Sequence, residues 1–187
     1  MCYSTLQQLI KDEGLEKYYE IYLNYGHDLE KHAFGCASIS LMLIDSLKIR
    51  SKSERKDILV ASLFHDIGET QFPHRFFTKP GLNDKDKLLI EKHPQISVNM
   101  LANNVSPHVK DMILAHHMDD VGNGYGFGLP DKDTNIMRVA DIYSALISKR
   151  IYREAYSIEE TISIMDKMSD KGHIDKEIWK CLRHFIY

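Results

Sequence analysis

The chain has 187 residues, 43% of them hydrophobic, and 24 Lys plus Arg against 27 Asp plus Glu give a net charge of −3. That length fits one domain and that apolar content supplies a sizeable core, whereas the near-neutral charge gives no electrostatic case for wrapping duplex nucleic acid. Cys2, Cys36 and Cys181 are far apart and in no metal-binding spacing, as expected of reduced thiols in a cytoplasmic protein rather than of a disulfide framework.

Met1 to Leu6 has neither the basic start nor the apolar stretch of a secretory signal, so no export is expected. Apolar residues at helical spacing, Leu6, Leu9 and Ile10, then Tyr18, Tyr19, Tyr22 and Leu23, interrupted at Gly14, predict a helical cap over residues 1–27. A helix from about Leu29 to Leu47 buries Phe34, Ala37, Leu41 and Ile44 and carries His32 in its first turns. Asp28, four residues before His32, shares its face if the helix begins early enough, and is also a reasonable N-cap. The longest apolar stretch, around Ile39 to Ile44, ends at Asp45, far short of the roughly 20 residues that span a bilayer.

Ser53 is expected to open a third helix, whose apolar run Ile58, Val60, Ala61, Leu63 and Phe64 ends at His65-Asp66. Gly68, Pro73, Pro80 and Gly81 punctuate the next segment. Asn83 caps a helix carrying Leu88, Leu89 and Ile90 down to His93-Pro94, where proline ends that helix or starts another. Pro107 begins a helix through Val109, Met112, Ile113 and Leu114 to His116-His117. Gly122, Gly124, Gly126 and Gly128, alternating with Asn123, Tyr125 and Phe127, mark a loop. From Asn135 the spacing Ile136, Val139, Ile142, Tyr143 and Leu146 restores a helix with Asp141 in its middle, and helices near Ile158 to Met168 and Ile174 to Phe185 follow. No strand alternation or repeat appears. The expected fold class is all-α, one domain over residues 1–187.

The histidines and aspartates His32, His65, Asp66, His93, His116, His117 and Asp141 recur along the helical stretches, most of them where one ends or opens, which points to a metal centre. Imidazole and carboxylate suit iron, manganese, zinc or nickel rather than a thiolate-bound metal. Such a set holds two ions if one carboxylate bridges. Neutral imidazoles and two carboxylates carry about two negative charges, so two divalent ions leave the site about two units positive, a place for a phosphate. His27, His74, His108, His173 and His184 have no motif partners and are expected to be structural or surface residues.

His32, "HDIG" at His65 to Gly68, "KPG" at Lys79 to Gly81, "HP" at His93-Pro94, "HH" at His116-His117, "GNGYG" at Gly122 to Gly126 and "VADIYSALISKRIYREA" from Val139 to Ala155 together resemble the HD-GYP branch of the HD phosphohydrolase superfamily. The resemblance covers roughly residues 28–160. It implies a helical bundle in which one ion is held by His32, His65, Asp66 and Asp141 and a second by Asp66, His93, His116 and His117, with Asp66 bridging. Iron or manganese is the favoured pair, and Asp28 occupies the place of an acidic residue that supports a third ion in some members. The implied activity is hydrolysis of a cyclic dinucleotide of the cyclic di-GMP type to a linear product, with a hydroxide shared by the metals attacking in line with the leaving oxygen. Arg150 could pair with a second phosphate through its planar fork, and Lys79 and Tyr125 are further substrate candidates. Tyr125 and Phe127 either stack on a base or pin the loop.

The sequence departs from that pattern near where substrate should sit. Glu69 replaces a lysine, Met118 a glutamate, Val121 an aspartate and Gly126 the proline of Gly-Tyr-Pro. Asn135 stands where many relatives have an arginine. None belongs to the implied ligand set, so these changes bear on substrate more than on metal. Glu69 as a carboxylic acid could donate a proton to the leaving group, but as a carboxylate it repels a phosphate. Two other readings stay open: a nucleotide-binding or interaction module without turnover, and another HD-type nucleotide phosphohydrolase. Helices outside the site could form a homodimer face.

Overall fold

The structure is a computed structural model that describes residues 2–49, 51–73, 75–78, 82–149 and 154–186. Among these, helices account for all regular structure: α1 Cys2–Asp12, α2 Glu16–Tyr25, α3 His27–Ser46, α4 Lys52–Phe64, α5 Arg75–Thr78, α6 Asp84–Ile90, α7 His93–Leu101, α8 Pro107–Ala115, α9 Lys132–Ile147, α10 Ile158–Asp170 and α11 Lys176–Ile186. A 3-10 turn, Ile67–Gln71, follows α4. One isolated bridge pairs Met118 with Gly124. The all-α expectation therefore stands, and no helix of the described residues is long and apolar enough to cross a membrane.

At the centre, α3 packs on α4 and α9, and α4 also meets α8 and α9. The reason lies in α4, where every residue from Asp57 to Phe64 is buried. A helix apolar on all sides has to be enclosed, and each large side chain so enclosed contributes about 1.5–3 kcal/mol. Tyr22 and Phe64 stack with centroids 6.0 Å apart, fastening the α1–α2 cap to the end of α4 next to His65. On the other side the α10–α11 hairpin covers α9, and α7 lies against the 3-10 turn and α8.

Several boundaries differ from the sequence expectation. Ser51, not Ser53, opens α4: its extended backbone lets its hydroxyl accept from the Glu54 N–H at 3.3 Å. Asp131 caps α9 by accepting from Thr134 N at 2.8 Å, so that helix begins before Asn135. Gly26, not Asp28, precedes the first turn of α3. Asn83 caps α6 in a capping box with Asp86, as expected. However, α6 stops at Ile90 with no buried residue and leaves Leu88 and Leu89 exposed. Pro94 sits in the first turn of α7, so the proline starts a helix.

Candidate metal centre

The expected ligands arrive from two kinds of position. His32 and Asp141 lie within the long helices α3 and α9, while His65 and His116 are the residues at which α4 and α8 end, and His93 opens α7 just beyond α6. A helix end leaves carbonyls without partners. His65 Nδ1 donates to the Ser62 carbonyl at 3.0 Å, His93 Nδ1 to that of Ile90 at 2.8 Å and His116 Nδ1 to that of Ile113 at 2.6 Å. Because a carbonyl only accepts, each bond fixes the proton on Nδ1 and leaves the Nε2 lone pair facing the centre. Ser144 Oγ, 3.3 Å from His32 Nδ1, holds the fourth ring.

Two groups of ligand atoms result, His32, His65 and Asp141, and Asp66, His93, His116 and His117, the atoms of each lying within 4.8 Å of one another. Asp66 stands between them. Its Oδ2 is 3.3 Å from His65 Nε2 and 3.6 Å from His32 Nε2, and its Oδ1 is 3.1 Å from His93 Nε2 and 3.7 Å from His116 Nε2. Asp141 Oδ1 completes the first group, 2.9 Å from His32 Nε2 and 3.6 Å from His65 Nε2. Asp28, expected as an additional ligand, is exposed in the first turn of α3 and belongs to neither group.

The residues fit divalent cations on chemical grounds. His93 Nε2 and His116 Nε2 are 3.2 Å apart with both Nδ1 protons already committed, so two lone pairs face each other. Buried His65 Nε2 and Asp66 Oδ1 have no hydrogen-bond partner. A buried group left this way costs about 1–3 kcal/mol. Electrostatics points the same way. Burial opposes a charge on His65, yet Asp66 and Asp141 outweigh it and hold its pKa well above the usual imidazole value. His93 is raised likewise, against burial, by Asp66. Burial opposes ionisation of Asp66 and Asp141 too, but the neighbouring imidazoles, His65 foremost for Asp66 and His32 for Asp141, hold both well below the usual carboxylate range. Burial, with His116 beside it, takes His117 down to about 2. The carboxylates thus call for positive charge, which His65 and His93 accept as protons and His116 and His117 resist.

Around the ligands, the glycine loop closes one wall. Tyr125, half-buried, packs its ring 4.3 Å from that of His117, so it pins the loop to a ligand, whereas Phe127 is exposed. Gly124 has φ 122°, and a side chain there would run into the His117 carbonyl. Gly126 has φ 129°, a value closed to the proline it replaces, whose ring holds φ near −65°. Gly68 lets α7 approach, since a Cβ there would meet the His93 carbonyl and, at 2.8 Å, Ser97 N. Glu69 follows, half-buried, with its charge felt by His93 and Tyr125. Lys79 and Arg150, expected at the substrate, lie outside the described residues, as does His74.

Ser97, Asp119 and Arg138 also hold the site and were not singled out from sequence. Ser97 Oγ accepts from Gly68 N at 2.8 Å and donates to the His65 carbonyl at 2.7 Å. Asp119 accepts from the N–H groups of Val121 at 3.1 Å and Asn123 at 2.7 Å and lies 2.6 Å from His173 Nδ1, giving that histidine a partner after all. Asn135 is buried, with its amide committed to Asp120 and Arg138. A charged Arg138 inside a run of buried residues was the one visible signal.

Several known proteins are similar to this chain. A cyclic di-GMP phosphodiesterase of Pseudomonas aeruginosa is 31% identical over 156 residues, 80% of this chain and 37% of that protein. The 3'3'-cGAMP-specific phosphodiesterase 1 of Vibrio cholerae is 30% identical over 131 residues, 67% of this chain and 30% of that protein. The chain thus spans about a third of the length of these relatives. The HD domain of the Listeria monocytogenes phosphodiesterase PgpH, solved in complex with cyclic-di-AMP, superposes with a TM-score of 0.66 at 17% identity over 91% of this chain and 93% of that one. The HD domain family model matches residues 12–178, and the chain belongs to that family.

Proposed function

We propose that the chain hydrolyses a cyclic dinucleotide to a linear product, using two divalent ions, iron or manganese. The observation that carries this reading is the division of Asp66, one carboxylate oxygen turned to His32 and His65 and the other to His93 and His116. In this reading His32, His65 and Asp141 would hold one ion and His93, His116 and His117 the other, with Asp66 available to both. When bound, such ions supply Lewis acidity and lower the pKa of water. The Pseudomonas and Vibrio relatives are named for cyclic di-GMP and cGAMP, and the Listeria domain was solved with cyclic-di-AMP, which supports a cyclic dinucleotide as the substrate class.

The chain's own residues then have distinct tasks. Backbone-anchored imidazoles keep their Nε2 atoms aimed at the centre without reorganisation, which preserves preorganised geometry. With two dications the donor set is about two units positive, which attracts the phosphate. Water attacks phosphorus in line with the 3′ oxygen and gives up a proton to solvent, the P–O3′ bond breaks, and O3′ takes up a proton. Glu69, in the 3-10 turn that follows Asp66, is the candidate donor when protonated. Tyr125 offers its outer face to a base, and Lys79 and Arg150 are the candidate phosphate contacts.

The test is product analysis with anaerobically prepared, manganese- or iron-loaded protein and cyclic di-GMP, cGAMP and cyclic-di-AMP, with His65→Ala alongside. A linear dinucleotide formed by the wild type and lost in the variant is expected. Binding without product would instead assign a nucleotide-binding module, and phosphate release from monoesters alone another HD-type hydrolysis.

A further inference from the structure

Two consecutive ligands, His116 and His117, both turn toward the centre, which requires the peptide between them to be held in one orientation. One side chain outside the candidate ligands, Arg138, bonds that peptide, and two further groups meet at its guanidinium. Arg138 on α9 is 4% exposed, and its Nε donates to the His116 carbonyl at 3.2 Å. The same guanidinium donates through Nη1 to Asn135 Oδ1 at 2.7 Å and through Nη2 to the His173 carbonyl at 2.9 Å, while the nearest carboxylate, Asp120, stays 3.7 Å from Nη1. His173 lies in the turn between α10 and α11, and its own ring reaches Asp119, 2.6 Å away, at the root of the glycine loop.

A guanidinium buried among neutral acceptors is costly, and losing any one of them leaves the charge less compensated. The arrangement is therefore directional: the planar fork fixes three acceptors at once, at the end of α8, on α9 and in the α10–α11 turn. We propose that Arg138 is a positioning residue, and that Arg138, His173 and Asp119 form a two-point clamp by which the C-terminal hairpin sets the His116-His117 pair. One arm grips the carbonyl of His116; the other grips the loop two residues beyond His117, on which Gly124 and Tyr125 close. The hairpin contributes no candidate ligand; its helices pack on α9 and α3, which carry Asp141 and His32 of the first group, but its hydrogen bonds through Arg138 and His173 run to the second. This rests on the assignment of two ion sites made above.

Manganese titration of the full chain, followed by calorimetry and electron paramagnetic resonance, tests the clamp. Wild type is expected to bind two ions and give an exchange-coupled signal. Arg138→Met should weaken the second binding step about 10- to 100-fold, as loss of an outer partner of a ligand does. The first step should be unchanged, and an isolated six-line manganese spectrum should replace the coupled one. Arg138→Lys, which keeps charge but loses the fork, should fall between them. His173→Ala, which retains its backbone carbonyl and so tolerates folding better, should show a smaller loss in the same step. Two wild-type steps reproduced unchanged in Arg138→Met and His173→Ala would overturn the clamp alone, as would equal weakening of both steps. A wild type lacking a second step would overturn the two-site assignment and the clamp with it.

Discussion

The two ligand groups are built by different physics. His32 and Asp141 stand within α3 and α9 and His65 at the enclosed end of α4, three helices whose mutual packing forms the core, so hydrophobic burial places this group and only His65 also uses a helix-end carbonyl bond. His93, His116 and His117 stand at helix ends and beside a glycine loop, where single hydrogen bonds and close backbone approaches decide direction. Interiors are close-packed and rigid, whereas helix termini and loops open at lower free energy. The first group should therefore survive changes that dismantle the second, and Asp66, shared between them, should survive neither.

Asp66→Ala gives the largest effect. Elemental analysis should show both ions lost and product formation at background, while Asp141→Ala should keep the second ion. Retention of two ions by Asp66→Ala would break the picture of a shared carboxylate. Gly124→Ala comes next. Its φ of 122° and the His117 carbonyl in the path of a Cβ impose strain on the loop of order 1–3 kcal/mol. The second manganese step should weaken about 10- to 100-fold while the first holds. Equal weakening of both steps would show that the loop and the core do not separate in this way.

Ser97→Ala probes the seam between the groups. Its hydroxyl bridges Gly68 N and the His65 carbonyl, so removing it leaves two buried backbone groups unpaired, at about 1–3 kcal/mol in urea denaturation. A change within error would mean that water or backbone shift replaces the hydroxyl.

The same contrast explains what was legible in the sequence. His65 after an apolar helix and His116 after another announce themselves because helix ends are marked by where the periodicity stops, and the short-range bond from Nδ1 to the carbonyl three residues back follows from that position. The α1–α2 cap and the α10–α11 pair followed from spacing alone. Ser51 was missed in favour of Ser53, although Ser51 and Glu54 have the cap spacing that Ser53 lacks. Leu88 and Leu89 were placed on a helix reaching His93, but the seven-residue α6 stops at Ile90 and buries none of its side chains. Ser97, Asp119 and Arg138 act through atoms brought together by tertiary folding, and hydrophobic periodicity carries no record of a backbone carbonyl's partner. The departures at Glu69 and Gly126 were visible as letters. Only the second acquired a geometric reason, in a backbone conformation proline cannot adopt.

The smallest effect belongs to a region without ligands. His108 Nε2, in the first turn of α8, lies 3.1 Å from Asp133 Oδ2 in the first turn of α9, joining the outer ends of two site-bearing helices. Burial lowers its pKa, but the hydrogen bond to Asp133 and the charge of Asp131 outweigh it, so the folded value lies above the ordinary one. A raised folded pKa means that the protonated ring favours the fold. With the aspartates ionised, that contribution is complete below the unfolded value of about 6.5 and disappears as pH rises through the folded pKa. The pair is partly open to solvent, so the contribution is a few tenths of a kcal/mol. It should appear as a shallow fall in urea midpoint between mildly acid and alkaline pH that His108→Gln flattens, and as a smaller fall at high salt. If wild type and variant share one slope, the caps Ser106 and Asp131 hold these helix ends without electrostatic help, and the second ligand group owes its placement wholly to the bonds at its inner ends.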